Sequence, residues 1–487
     1  MPEPGPAQPR IGVDEWVATA DERTERYRGF FGPVARAIDS VPQPVQLAVF
    51  ALAAASLPFL TSNGYIVRVG FDTLLYMLLA LGLNVVVGWA GLLDLGYVAF
   101  YGFGAYSYAM LASPKFGLHW PTYGVVPLVV VAALCLGYLV GLSSGRLSGD
   151  YLAIVTLFFG QFFVTVYTNG ERLSFLGLTR SYDVTGGPNG IADIDSFNAF
   201  GRSLDPFSQL KGYYWVALAV FVVVLGGLSL LDRSRTGRAW RSLREDPLAA
   251  ELMGMPVRRL KLVAFALGAA VAGLTGTLFA ALNSAVFASS FDAPLLIVVY
   301  AMVILGGAGS LQGVVLGAIA VNVSLEVLRT PGHATWIFYV LLAATLLARL
   351  RPWRWLVGVA GGTLAFGFAV RALAVELWPS QTDGTIASAG ALGSVLKHWV
   401  VLLSDPRVPG NYAFVGLVLA LLALTTLRGA AQKVALVPVL YLAAFVWQNR
   451  LVQEPSVTRL ILVGALLIVL MNARPQGLVG TSRVEIV

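Results

Sequence analysis

The chain has 487 residues, 57% hydrophobic and only 12% charged, where a soluble domain carries about a quarter charged. Its 33 basic residues outnumber its 26 acidic ones for a net charge of +7; in so apolar a chain that excess belongs to cytoplasmic loops, not to a nucleic-acid surface. Cys135 is the only cysteine, which excludes an intramolecular disulfide and a cysteine-based metal site, and His119, His333 and His398 show no metal-ligand spacing.

No signal peptide is evident. Residues 1–43 read as a polar cytoplasmic segment whose mixed charges (Asp21, Glu22, Arg23, Glu25, Arg26, Arg28) suit either a surface helix or a tail. Beyond it, apolar runs predict spans at roughly 44–61, 69–90, 93–112, 122–144, 151–169, 213–231, 262–283, 292–307, 311–328, 335–350, 354–376, 411–428, 433–449 and 457–473. The expected fold is all-α: a polytopic helical membrane protein of about 12–14 membrane segments, the one at 93–112 being a span or a re-entrant loop. With the N-terminus inside, Arg146, the 233–261 loop, Arg349, Arg351, Arg354, Arg428, Lys433 and Arg474 all fall on the cytoplasmic side. The loop 170–212, with four basic and five acidic residues, falls outside, and both termini lie in the cytoplasm.

Gly82 to Tyr106 is the least lipid-like stretch of the membrane region. Its glycines allow close approach of backbones or a break, and Asn84 and Asp94 place polar groups at membrane depth. Intramembrane carboxylates usually face a cavity or a partner, so Asn84, Gly88, Gly91, Asp94 and Gly96 are candidate residues of a translocation path. The competing reading puts Asp94 at a cytoplasmic turn, capping the next helix. At Gly149–Leu157, Asp150 is the expected cap of a span. Thr185, Gly186, Gly187, Pro188 and Asn189 form either an ordinary tight turn or an ordered outer surface that meets a soluble partner or gates the path.

Arg233 to Lys261 is the most basic polar loop, with eight basic residues against Glu245, Asp246 and Glu251. Inside it one short helix is punctuated at both ends. Asp246 suits the N-cap and Pro247 the first helical position; Gly254 suits the left-handed position past the end, and Pro256 stops continuation. Leu248 and Leu252 then fall one turn apart. So short a helix needs something to pack on, either its own protein and the lipid surface or a cytoplasmic partner.

Downstream, Ala269, Gly273, Ala272 and Gly276, and then Gly309, Gly313 and Gly317, set small residues four apart, as membrane helices packing backbone to backbone do. No Gly-Lys dipeptide occurs, so there is no P-loop of the GxxxxGK[ST] type. HExxH is absent, and no GxSxG is followed by plausible triad partners. Dispersed polar groups point to a conduit and not to an enzyme.

Six motifs occur in order: GLNVVVGWAGLLDLGYVAFYGFGAY (Gly82 to Tyr106), GDYLAIVTL, TGGPNGI, REDPLAAELMGM, GGAGSLQG (Gly306 to Gly313) and RPQGL (Arg474 to Leu478). Together they resemble the LivM-type permease subunit of branched-chain amino-acid ABC importers, over roughly residues 70–329 and 457–480. The resemblance implies the ABC-importer permease fold and makes Glu245 to Gly254 a coupling helix seated in a cleft of an ATPase subunit. Arg244, Glu245, Asp246, Pro247, Ala249, Ala250 and Gly254 would carry the coupling. The wider importer signature places Glu-Ala-Ala three residues before a Gly; Ala249, Ala250 and Gly254 fit, but Leu248 stands in place of that Glu.

The same resemblance implies a second permease subunit, two cytoplasmic ATPases, an external substrate-binding protein and a lipid environment. It implies no cofactor in this chain, ATP being used by the partners. The expected domains are 1–43; a permease core 44–329 with its coupling loop 232–261; an insertion of membrane segments 330–456; and 457–487, the last span and a cytoplasmic tail. The expected function is the inner-membrane permease of an importer for branched-chain or other neutral amino acids. Urea or a short-chain amide as cargo, or an ion-coupled secondary transporter, are the alternatives.

Overall fold

A computed structural model gives the fold of residues 43–144, 149–172, 183–199, 202–205, 208–350, 353–382, 384–386, 391–427 and 429–451, with Glu454, Thr458, Leu460, Ile461, Gly464, Gly477 and Leu478. The N-terminal segment 1–42 and most of the span expected at 457–473 lie outside these residues. The chain divides into two compact units, residues 1–318 with 474–487, and residues 319–473.

The first unit begins with α1 (Gln43–Leu60) and α2 (Gly64–Leu83), which runs on into a π-helical turn at Asn84–Trp89. Then follow α3 (Tyr97–Leu111), α4 (Thr122–Ser144), α5 (Asp150–Thr168), α6 (Leu210–Arg233), α7 (Arg235–Glu245), α8 (Pro247–Leu252), α9 (Val257–Asn283), α10 (Ala293–Gly306) and the start of α11 (Leu311–Val327). Its strands are two residues each: β1 (Ile191–Ala192) pairs antiparallel with β4 (Ala285–Val286), and β2 (Asn198–Ala199) with β3 (Arg202–Ser203).

A helix stands at every segment expected from 44–61 to 433–449. Among the described residues, nine helical stretches are long and apolar enough to cross a membrane, and α11 with α12 (Pro331–Arg349) forms a further pair bent by 112°. The fold is therefore all-α and polytopic. At 1.5 Å per residue the 15 residues of α3 reach only about 22 Å. Even so, α3 runs from the break at 90–96 to Ala112, whose carbonyl accepts from Asp195 N at 2.7 Å. Asp195 belongs to the loop before α6, and the break at Gly91 meets Arg244 of the loop after it, so this segment runs between the loops at the two ends of α6.

Lipid offers helices no hydrophobic reason to associate, so close packing has to hold them. The central helix α9 supplies it with small residues, lying along α3 and α4. A Cβ added at Gly104 would strike the carbonyl oxygen of Gly273, and one at Gly276 that of Tyr101. One at Gly137 would meet the Ala269 methyl. Where backbones separate toward the face opposite α7, rings fill the space: Phe163 and Tyr167 stack at 4.1 Å, and Tyr106 lies 4.3 Å from Tyr167. The expected cap of α5 is corrected. Gly149, at φ 57°, takes the cap position with no side-chain bond, and Asp150 is the first helical residue, because a left-handed entry suits glycine better than aspartate.

In the second unit the remainder of α11 and α12 precede α13 (Trp353–Leu377), α14 (Ala391–Trp399), α15 (Arg407–Thr426) and α16 (Ala430–Val446), which ends in a π-helical turn at Trp447–Leu451. Leu396, Trp399, Val400, Tyr441 and Ala444 form one core, and Trp447 stacks on Phe338 at 4.2 Å. Buried Asn449 is tied to backbone: its Nδ2 donates to the carbonyls of Val401 and Phe445, and its Oδ1 accepts from Leu403 N at 2.8 Å.

Candidate functional site

The helix at the heart of the basic loop is built as its punctuation requires. Asp246 Oδ1 accepts from Leu248 N at 2.8 Å and Ala249 N at 3.0 Å, and Pro247 holds the first position. At the other end Gly254 has φ 79°. Its N–H bonds Glu251 O at 2.9 Å, while Met255 N bonds Ala250 O at 3.1 Å, the paired closure of a Schellman motif. These bonds rigidify a six-residue helix that would be marginal alone.

Its faces differ sharply. Ala250 is only 2% exposed, where α8 packs on α7 and α9, so of the residues expected to couple it seats the helix on its own chain. Leu248, Leu252 and Met253 are 67, 80 and 81% exposed and make one apolar edge flanked by exposed Glu245, Pro247, Ala249 and Gly254.

Arg244 turns the other way. Helix α7 is amphipathic, burying Gly237, Trp240 and Leu243. Trp240 stacks on Trp89 with centroids 6.0 Å apart and donates its Nε1–H to Leu260 O at 2.9 Å. One turn on, the Arg244 guanidinium donates to the carbonyls of Gly88 and, at 3.3 Å, Ala308. Gly309 N donates to Asn84 Oδ1 at 2.8 Å, and Trp89 Nε1 donates to Gly309 O at 3.1 Å. The π-helical end of α2 and the turn between α10 and α11 are thus laced together under α7. Glycine is required at this crossing: a Cβ on Gly88 would lie 2.6 Å from Gly309 N, and Gly309 itself has φ 95°.

The residues expected along a path lie in or beside this knot. Asn84, Gly88, Asp94 and Gly96 are buried, and Gly91 is exposed with φ 68°. The reading of Asp94 as the cap of the next helix is corrected: Gly96 takes the cap position of α3 with no side-chain cap bond. Asp94 Oδ1 accepts from Gly96 N at 2.9 Å within the turn before it, while its backbone exchanges bonds with the Tyr300 hydroxyl. Asp94 Oδ2 and Asn84 Nδ2 are buried without a hydrogen-bond partner among the described residues. Thr156 Oγ1 accepts from Leu95 N at 2.9 Å, fastening the break to α5. On that same helix Gln161 is exposed although it sits inside a span.

On the opposite face, Thr185, Gly186 and Gly187 are buried and only Pro188 and Asn189 of that motif are exposed. Thr185 Oγ1 donates to Tyr167 O at 2.7 Å, and Gly186 and Gly187 have φ 75° and 56°. Asp183 Oδ1 accepts from Lys115 Nζ at 2.9 Å and Gly186 N at 2.7 Å, and the Lys115 bond holds its carboxyl below the usual carboxylate range. A depressed acid stabilises the turn above its unfolded pKa, and that contribution disappears as pH falls through the depressed value. Asp183→Asn is expected to raise the rate of limited proteolysis in this loop at neutral pH and leave little further change on acidification. Unchanged cleavage at neutral pH would show the ion pair to be idle.

Sequence reasoning passed over Trp89, Trp240, Thr156 and Tyr300, and saw the apolar edge of α8 as Leu248 and Leu252 without Met253. The available signals were the spacing of Trp240 and Arg244, one helical turn, and Met253 beside Leu252.

A model of the family described as branched-chain amino acid transport system / permease component matches residues 65–350. The chain is similar to the high-affinity branched-chain amino acid transport system permease protein LivM of Escherichia coli K12, 39% identical over 335 residues, or 65% of this chain and 74% of the relative. A probable LivM permease of Methanocaldococcus jannaschii is 25% identical over 242 residues, 46% of this chain and 65% of the relative. The LivH permease protein of Escherichia coli K12 is 23% identical over 266 residues, 51% of this chain and 80% of the relative. No solved structure matches the chain.

Proposed function

The chain belongs to the branched-chain amino acid transport permease family, and from that premise we propose how it works in a complete importer. It is the transmembrane permease subunit of an ATP-driven importer for branched-chain amino acids. A second, LivH-like permease completes the membrane part. Two cytoplasmic ATPases dock on the basic face, and a soluble binding protein delivers substrate at the turn carrying Pro188 and Asn189. This orientation places the 233–261 loop and both termini in the cytoplasm and the protein in the inner membrane. The observation that carries the reading is the apolar edge of α8, rigidly capped and turned away from its own chain.

The path is assigned beside the break at 84–96, bordered by exposed Gly91 and by Gln161. A bare carboxamide is costly against lipid, which favours a protein or aqueous neighbour for that face of α5. Residues 330–456 are read as an insertion between the core 44–329 and the last span with its tail at 457–487. Supporting this, Leu478 N donates to Leu305 O at 2.8 Å, and a Cβ on Gly477 would lie 2.6 Å from Gly307 N, so Gly477 and Leu478 lie against the GGAGSLQG turn.

Uptake of labelled leucine, in cells stripped of their own systems, tests the assignment. Uptake is expected only when both ATPases, the second permease and the binding protein are co-expressed, with leucine and isoleucine competing and urea not. Uptake that persists without the ATPases would overturn it in favour of an ion-driven carrier.

A further inference from the structure

We infer that Arg244 is the positioning residue through which movement of the docking helix reaches the two backbone breaks in the membrane; this rests on α8 being the ATPase-docking element. Three features combine. First, α7 and α8 meet at a single extended residue and pack on each other: Asp246 N closes α7 on Ser242 O at 3.2 Å, and its carboxylate opens α8. A displacement of α8 therefore carries α7 with it. Second, Arg244 sits two residues before that joint and turns away from the docking edge, into the membrane part. Its guanidinium bridges Gly88 O and Ala308 O, both at points where a helix has just ended or turned. Such carbonyls have no following N–H to satisfy them and carry the negative end of the helix dipole.

Third, the two bridged points are already bound to each other by Gly309 N to Asn84 Oδ1 and Trp89 Nε1 to Gly309 O. A pull on Arg244 is applied to α2 and to the α10–α11 turn together. The surroundings are cut to admit the side chain. A Cβ on Gly309 would lie 2.6 Å from Arg244 Nη1, and a Cβ on Gly91 2.9 Å from Arg244 Cγ. Both bonds leave Nη1, which stands one atom further along the side chain than a lysine ammonium and whose two hydrogens are held in the guanidinium plane; an ammonium is a point charge on a flexible stem. The basic residue that looks from sequence like one more member of a cytoplasmic cluster is the connection between the cytoplasmic loop and the path.

The full importer, reconstituted in vesicles with its ATPases and binding protein, tests this through leucine moved per ATP hydrolysed. Arg244→Lys and Arg244→Gln are expected to assemble with ATPases at wild-type stoichiometry and to hydrolyse ATP. The transport ratio should fall about tenfold or more in both variants, within the range of measured coupling energies. A ratio near wild type in either variant overturns the proposal. Loss of the ATPases from both variants overturns it as well, by making Arg244 part of the docking surface, and so does absence of both from the membrane, by making it a folding residue. Leu252→Asp with Met253→Asp, run alongside, separates the two readings. If that variant keeps its ATPases, the docking role of α8 fails; if it loses them while Arg244 variants transport normally, only the connection fails.

Discussion

Complexes carrying Leu252→Asp with Met253→Asp are expected to lose their ATPase subunits and with them all ATP-driven uptake. Both side chains are about four-fifths exposed at the tip of a capped helix, so nothing within the described chain depends on them. Covering such a side chain contributes about 1.5–3 kcal/mol, and the pair would account for roughly 3–6 kcal/mol of the docking energy. A carboxylate at the same place also has to be stripped of water. The loss corresponds to a weakening of the ATPase contact by about two orders of magnitude or more. Co-purification with a tagged permease reads association, and leucine uptake reads function. Wild-type uptake by an intact complex would show that α8 does not dock the ATPases.

The second large effect lies in the membrane core. Gly276→Ala is expected to prevent stable folding or to lower thermal stability steeply. Its Cβ would strike Tyr101 O and lie 2.6 Å from Ala105 N. Overpacking where side chains can move costs about 1–3 kcal/mol; here the neighbours are backbone on a buried helix, and the cost should reach or exceed the top of that range. Gly226→Ala is the control, because nothing lies within 4 Å of a Cβ there and alanine is the better helix former. Size-exclusion melting curves in detergent should collapse for the first and match wild type for the second. Equal curves would mean that α3 and α9 can separate without penalty.

Much of this was legible in the amino-acid order. Apolar runs place the helices because the length of a span is set by the bilayer, and Asp246, Pro247 and Gly254 mark α8 because caps are local chemistry. The π-helical turn at Asn84–Trp89 was not legible: its tertiary bonds join residues 225 positions apart. Arg244 could not be told from Arg241 by type; only the burial of Trp240 and Leu243 fixes which way each points. The outer turn was half legible. Its glycines announce positive φ, yet which residues face outward depends on Tyr167 and Lys115, contributed from elsewhere in the chain.

The docking of Gly477 and Leu478 beside Leu305 and Gly307 has a topological consequence. The chain departs from this turn at Ser310 and is back beside it at Gly477, so both ends of the intervening stretch lie at one point of the first unit. Any such excursion must traverse the bilayer an even number of times. Two traversals close the circuit as well as six do, so helices can be added there in pairs without inverting anything encoded before residue 311. An odd addition would leave Leu478 on the wrong side, unable to reach Leu305.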